Sequence, residues 1–149
     1  MIALGADHGG FLLKEAIKKY LDQKGISYYD FGTNSSESVD YAPFGEKVAY
    51  AVANGEAEKG ILCCGTGIGI SIAANKIKGI RAAVVTNAFC AKATREHNDA
   101  NILCMGGRVI TEQEAVEFTD IFLNTAFEGG RHQRRIDQIA TIEQSSLSD

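Results

Sequence analysis

Five short apolar runs, separated by amphipathic or polar stretches, constrain the fold of this chain more than any other feature. Residues 2–6, 27–31, 60–64, 81–85 and 102–105 read as strands. Between them, residues 11–24 repeat apolar side chains at helical spacing (Leu12, Leu13, Ala16, Ile17, Leu21), and Gly25 stops that helix. Residues 32–40 form a loop rich in Ser, Thr and Asn. Residues 44–54, 68–77 and 88–97 read as further helices, and Thr111 caps one running to about residue 124. Gly129-Gly130 breaks the chain before a last segment, 131–144, and the tail 145–149 frays. Strands alternating with helices predict a parallel sheet covered on both faces. The fold class is therefore α/β: a three-layer α/β/α Rossmann-like sandwich with five parallel strands.

The 149 residues fit one domain spanning 1–149. A net charge of −4 argues against a general nucleic-acid surface. No apolar run approaches the ~20 residues that span a bilayer, so no membrane partner is expected. Met1 to Asp7 carries no basic leader and reads as the first strand. The four cysteines include no C-x-x-C pair, which disfavours structural zinc and a disulfide scaffold. Reduced thiols in a cytoplasmic protein are the expectation.

In open parallel sheets, ligands bind beyond the carboxyl ends of the strands. Asp7-His8-Gly9-Gly10, Cys64-Gly65-Thr66-Gly67 and Gly106-Gly107-Arg108 all fall there. The loop after Cys64 lacks a dinucleotide fingerprint, because Ile70 stands where the third glycine belongs. The same Ile70 occupies the arginine position of a cysteine-phosphatase loop, and no Lys-Ser/Thr pair completes a Walker loop. Three glycines around Thr66 and Ile68 exceed what one turn requires and suit close approach of a ligand. Free backbone N–H groups at a helix start bind anions and favour the thiolate of a nearby cysteine.

Neighbouring strand residues point to opposite faces, so Cys63 and Cys64 cannot share a role. Cys64, next to the loop, is the reactive candidate; Cys63, Cys90 and Cys104 are expected in the core. His8 either meets a ligand or caps a loop. His97, near a helix end, either acts chemically or sits charged in solvent. His132 reads as structural or exposed. In the basic cluster 131–135, Arg131 and Arg135 share a side beside the apolar stripe Ile136, Ile139 and Ala140. They suit an anion, and Arg134 points to solvent.

These motifs are similar to those of the sugar-phosphate isomerases that include ribose-5-phosphate isomerase type B and the galactose-6-phosphate isomerase subunits. The carriers are Gly5 to Gly10, Cys64 to Gly69, Ser71 to Lys76, His97-Asn98, Gly106 to Arg108, and Gly130-Arg131-His132-Gln133-x-Arg135. The resemblance implies interconversion of ribose 5-phosphate and ribulose 5-phosphate, with no metal and no cofactor. A hexose 6-phosphate, allose or galactose, is the alternative substrate. Cys64 matches the base that takes the C2 proton. Gly65, Thr66, Gly67, Ile68 and Gly69 match the loop that holds the enediolate, with Thr66 counted among the catalytic residues. His97 matches the ring-opening residue and Asp7 assists it. Asn98 matches a substrate contact; His8, Arg108, Arg131 and Arg135 match substrate- and phosphate-side positions. The C-terminal arginines reach a partner's site in such proteins, which implies a homodimer with shared sites, a tetramer remaining open. One departure is visible: Asp40-Tyr41-Ala42-Pro43 moves the family's proline by one place, with Tyr41 still expected to line the site.

Overall fold

The computed structural model describes residues 1–148. Strands β1 (Ile2–Ala6), β2 (Tyr28–Asp30), β3 (Lys59–Cys64), β4 (Ala82–Val84) and β5 (Ile102–Gly106) alternate with helices. The helices are α1 (Phe11–Lys24), α2 (Ala42–Ala53), α3 (Ile68–Ala74), α4 (Ala88–Asn98), α5 (Glu112–Leu123) and α6 (Arg131–Ser148). All strand pairings are parallel, in the order β2-β1-β3-β5-β4. From β1 the chain moves one way to β2, then returns to place β3 on the other side. A crevice opens where those directions diverge, at the carboxyl ends of β1 and β3.

Strand alternation sorts the core into two layers. Leu4, Ala6, Ile61, Cys63, Leu103 and Met105 pack with Leu13 and Ile17 of α1 and Phe118 and Phe122 of α5. Ala3, Leu62, Cys64, Ile102 and Cys104 pack instead with Val48 and Ala49 of α2 and Ile70 and Ala74 of α3. Each fully buried Leu, Ile or Phe contributes about 1.5–3 kcal/mol. The opposed cysteines of β3 thus follow from the two-residue period.

Local chemistry sets the element ends. Gly25 closes α1 at φ 67°, and Thr111 with Glu114 forms a reciprocal cap on α5. Pro43 sits in the first turn of α2, where its missing N–H is not needed. The shifted proline therefore starts α2 at Ala42, two residues earlier than the sequence pattern predicts. Helix α3 ends at Ala74 rather than 77. There Asn75 leaves the helix and bonds both backbone groups of Ala82 at 2.8 and 2.9 Å.

Several expectations need correction. Cys90 is exposed, not in the core. It lies off the Ala91, Thr94 and Arg95 face that α4 buries. On α6, Ile139 and Ala140 are exposed; among the described residues His132 and Ile136 form the buried side. The cause is that α6 rests on the end of α4 with its first turns and then runs along the sheet edge. There Glu143 accepts the Gly79 N–H at 3.0 Å. The tail expected to fray is helical through Ser148, and Asp149 lies outside the described residues. Lys14 interrupts an apolar helix face yet is buried, with Nζ 2.6 Å from Asp30. No helix among the described residues is long and apolar enough to cross a membrane.

Candidate active site

Three turns converge at the crevice. Asp7 follows β1, and its backbone N–H donates to the Cys63 carbonyl at 3.2 Å. Its Oδ1 accepts the Gly9 and Gly10 N–H groups at 2.9 and 3.2 Å. One carboxylate oxygen of Asp7 is thus occupied by its own turn. The Gly107 and Arg108 N–H groups donate to the carbonyls of Cys64 and Gly65, at 2.8 and 2.9 Å. These bonds clamp the loop after β5 onto the loop after β3. A Cβ at Gly107 would stand 2.1 Å from the Gly9 carbonyl oxygen, so only glycine lets the turns meet this closely.

Cys64 ends β3 and lines a cleft of about 360 Å³ with Asp7, Tyr41, Thr66, Gly69 and Arg108. The Gly67 N–H donates to its sulfur at 3.1 Å. Gly67 precedes α3 at φ 80°, a left-handed conformation that glycine adopts without strain. That turn aims the amide back at the sulfur. The Ile68 N–H is taken by Thr66 Oγ1 at 3.2 Å. No side chain among the described residues caps α3, so the Gly69 and Ile70 amides of its first turn are available to an oxyanion. The Tyr41 ring covers Gly69, and the Arg108 guanidinium lies against Gly65. The other thiols of the sheet serve differently. Burial pushes Cys63 and Cys104 well above the ordinary thiol range, which keeps them protonated.

His8 lines an adjoining hollow of about 350 Å³ with Gly9, Ser36 and Gly107. Its Nδ1 accepts the Val39 N–H at 3.2 Å. When neutral, the ring therefore carries its proton on Nε2, as a donor suited to an anion. The same bond ties down the loop that leads to Tyr41.

The remaining residues singled out in the sequence lie elsewhere. Helix α4 runs back against the sheet, so His97 and Asn98 sit at the amino end of the strands. Arg81, before β4, donates through Nε to the Asn98 and Asp99 carbonyls at 3.0 and 3.1 Å. Five residue steps of β3 separate that end from Cys64, or ~16 Å. His97, Asn98, Arg131 and Arg135 are exposed, and the chain does not bring them to its own Cys64. His97 lies flat on His132, with ring centroids 4.5 Å apart and 15° between planes. The carboxylates of Glu96 and Glu128 flank His97, each with an oxygen within 4.8 Å of an imidazole nitrogen.

Two residues at this end carry more than the sequence assigned them. His132, expected to be structural or exposed, is structural: it is only 6% exposed and stacks on His97. Burial first, then His97 and Arg131, push its imidazole below the ordinary value, against the pull of Glu128. Arg95 is buried and fixes the end of α4 through Asp99 Oδ1 at 2.7 Å, the Ala100 carbonyl at 2.8 Å and the Thr125 carbonyl at 3.1 Å. Its place four residues after Ala91, on the face that α4 buries, was the one available signal.

Residues 2–139 match the family described as Ribose/Galactose Isomerase. The chain is 50% identical over 143 residues to ribose-5-phosphate isomerase B of Escherichia coli K12, covering 96% of both proteins. Its fold superimposes on Clostridium thermocellum ribose-5-phosphate isomerase B with a TM-score of 0.96 at 52% identity, over 97% of this chain and 98% of that one. Ribose-5-phosphate isomerase B of Mycoplasma genitalium, solved with bound ribulose-5-phosphate, gives a TM-score of 0.92 at 43% identity, over 96% and 95%. With matching sequence along nearly its whole length and a matching backbone, the chain belongs to the ribose/galactose isomerase family.

Proposed function

We propose that this chain is a single-domain aldose–ketose isomerase that interconverts ribose 5-phosphate and ribulose 5-phosphate through an enediolate. The observation that carries the reading is the Cys64 sulfur, held at 3.1 Å by the Gly67 amide in a cleft beside uncapped amides. The relatives named for this reaction support it, as does the one that binds ribulose-5-phosphate. The pentose reading is favoured over a hexose 6-phosphate on the same ground.

The chemistry follows from the parts. The proton on C2 of the aldose is only weakly acidic, so the charge reaching O1 as it leaves must be stabilised. Backbone donors already in place do this without reorganising, at ~3 kcal/mol for one good donor. The Cys64 thiolate takes the C2 proton, the O2 hydroxyl proton passes to O1, and the thiol returns its proton to C1, leaving the carbonyl at C2. Loop residues Gly65, Thr66, Gly67, Ile68 and Gly69 surround the enediolate, and Tyr41 closes the cleft. The furanose hides the carbonyl, so a separate acid–base group must open it first. His97 supplies that step, with Asp7 assisting through its free oxygen. His8, Arg108, Arg131 and Arg135 hold the phosphate end, Asn98 contacts the sugar, and phosphate binding keeps C2 against the sulfur.

Because Cys64 and His97 lie at opposite ends of one sheet, the working site is shared. We infer a homodimer in which α6 and the end of α4 of one subunit complete the partner's cleft. Exposed Ile139, Ile142 and Leu147 on α6 and Phe89 on α4 supply apolar surface for it. A soluble sugar-phosphate substrate is in keeping with a cytoplasmic enzyme.

The test is turnover with ribose 5-phosphate and with allose and galactose 6-phosphates. Cys64→Ala should lose turnover by at least ~100-fold while keeping the wild-type melting curve. Cys63→Ala should retain turnover. Undiminished activity in the Cys64 variant rejects the base, and faster reaction of a six-carbon substrate rejects the pentose.

A further inference from the structure

His132 has no role in the chemistry described above, yet it is the most constrained side chain near His97. It is 94% buried, by its 6% exposure, and its Nε2 has no hydrogen-bond partner among the described residues. A buried polar nitrogen left open in this way carries a cost that packing alone does not require. The nitrogen points toward Glu128, whose Oε2 lies 3.9 Å away, beyond hydrogen-bond range. Glu128 is held in turn by its N–H, which donates to the Glu96 carbonyl at 3.1 Å. The flat face of the ring lies under His97.

We propose that His132 is a positioning residue: its buried ring is the platform that holds the exposed His97 imidazole in the orientation needed for opening the sugar ring. The proposal rests on the reading of His97 given above. An exposed histidine on the last turn of a helix otherwise samples several rotamers. Stacking on an immobile ring removes that freedom before substrate arrives. The platform must also tolerate a charge above it when His97 is protonated. Glu96 on α4 and Glu128 in the loop before α6 flank the pair. Burial, then His97, Arg131 and Arg135, disfavour the charged form of the lower ring, against the pull of Glu128.

The two directions of the reaction separate this role from a structural one. Ribulose 5-phosphate cannot close to a furanose, because its O5 carries the phosphate; it meets the enzyme as an open chain. Ribose 5-phosphate arrives as a ring. A defect confined to His97 placement therefore slows ribose 5-phosphate and spares ribulose 5-phosphate, whose aldehyde product closes in solution.

The experiment compares His132→Asn, His132→Phe and His97→Asn in both directions, with melting curves. His132→Asn should lower kcat on ribose 5-phosphate roughly tenfold and leave ribulose 5-phosphate consumption within about twofold. His132→Phe keeps a flat ring and should recover most of the loss. Equal losses in both directions, no loss in either, or failure of Phe to recover would overturn the proposal. If His97→Asn itself shows no defect specific to the cyclic sugar, the reading of His97 fails instead. A specific defect in His97→Asn without one in His132→Asn rejects the platform alone.

Discussion

The division of the site between the two ends of one sheet predicts the behaviour of mixed dimers. Consider Cys64→Ala on one chain and His97→Asn on another, co-expressed with different affinity tags and purified through both. The ~16 Å of β3 between the two ends is too long for either side chain to bridge, so on the proposed shared site each working site draws Cys64 from one subunit and His97 from its partner. In a mixed dimer, one site then receives both substitutions and the other receives neither. Each parent homodimer has two damaged sites, each short of one acid–base group worth typically 10²–10⁴ in rate. The mixed dimer should therefore recover about half of the wild-type turnover per dimer, because one of two equivalent sites is intact. The assay is initial rate on ribose 5-phosphate, normalised to doubly tagged protein. If the mixed dimer is no more active than the parents, both groups act within one chain and the shared site is wrong. Failure to isolate doubly tagged dimers would reject the assembly itself.

Two further outcomes follow from the packing. Gly67→Ala places a Cβ 2.9 Å from the Met105 backbone at a φ of 80°; the left-handed strain and the contact together should cost about 2–4 kcal/mol of stability, read as a lowered melting midpoint. It also turns the amide from the sulfur and should cut kcat by roughly 100-fold; wild-type turnover would show that this amide is idle. Burial alone would raise the Asp30 carboxyl, but Lys14, the Gly32 N–H and Lys18 outweigh it and hold it below the ordinary value. Since its pKa is depressed on folding, that carboxylate stabilises the fold above the unfolded value near ~4 and loses its contribution as pH falls through the folded value. Urea midpoints should therefore drop more steeply between about pH 5 and pH 3 in wild type than in Asp30→Asn, with parallel curves refuting the assignment.

The sequence carried some parts of this molecule and withheld others for identifiable reasons. Strand residues speak through a two-residue period and through glycines that interrupt it. Cys63 and Cys64 could thus be assigned opposite faces, and Asp7, Cys64 and Arg108 one edge, before any coordinates. Helix boundaries were less certain, because contacts with a neighbouring strand decide them: Asn75 stops α3 by bonding Ala82 of β4. Lys14 was invisible as a core residue because its burial depends on Asp30, which another element supplies. Cys90 misled because a small apolar residue in a helix's first turn fits either face.

His132 illustrates the harder limit. Within α6 its one buried companion among the described residues is Ile136, four residues on, while Ile139 and Ala140, expected on the same stripe, are exposed. Its burial arises from the end of α4, thirty-five residues earlier in the chain. The same holds for the site as a whole. A motif at the carboxyl end of a strand is local, because the turn that positions the nucleophile is encoded beside it. A residue at a helix end acquires its chemistry from whatever that end meets. Here the end of α4 meets α6 within the chain, and the proposed partner beyond it. Spacing singled out Arg131 and Arg135 as anion ligands and left His97 between two readings; the family resemblance supplied the ring-opening role of His97. The exposed apolar positions of α6 support the proposed neighbour, since an isolated chain gains nothing by presenting Ile142 and Leu147 to water. Substituting Ile142 by Glu should therefore abolish turnover on ribose 5-phosphate through loss of the dimer, although the residue lies far from Cys64. Sedimentation should report monomers with an intact fold, and an active monomer would refute this reasoning.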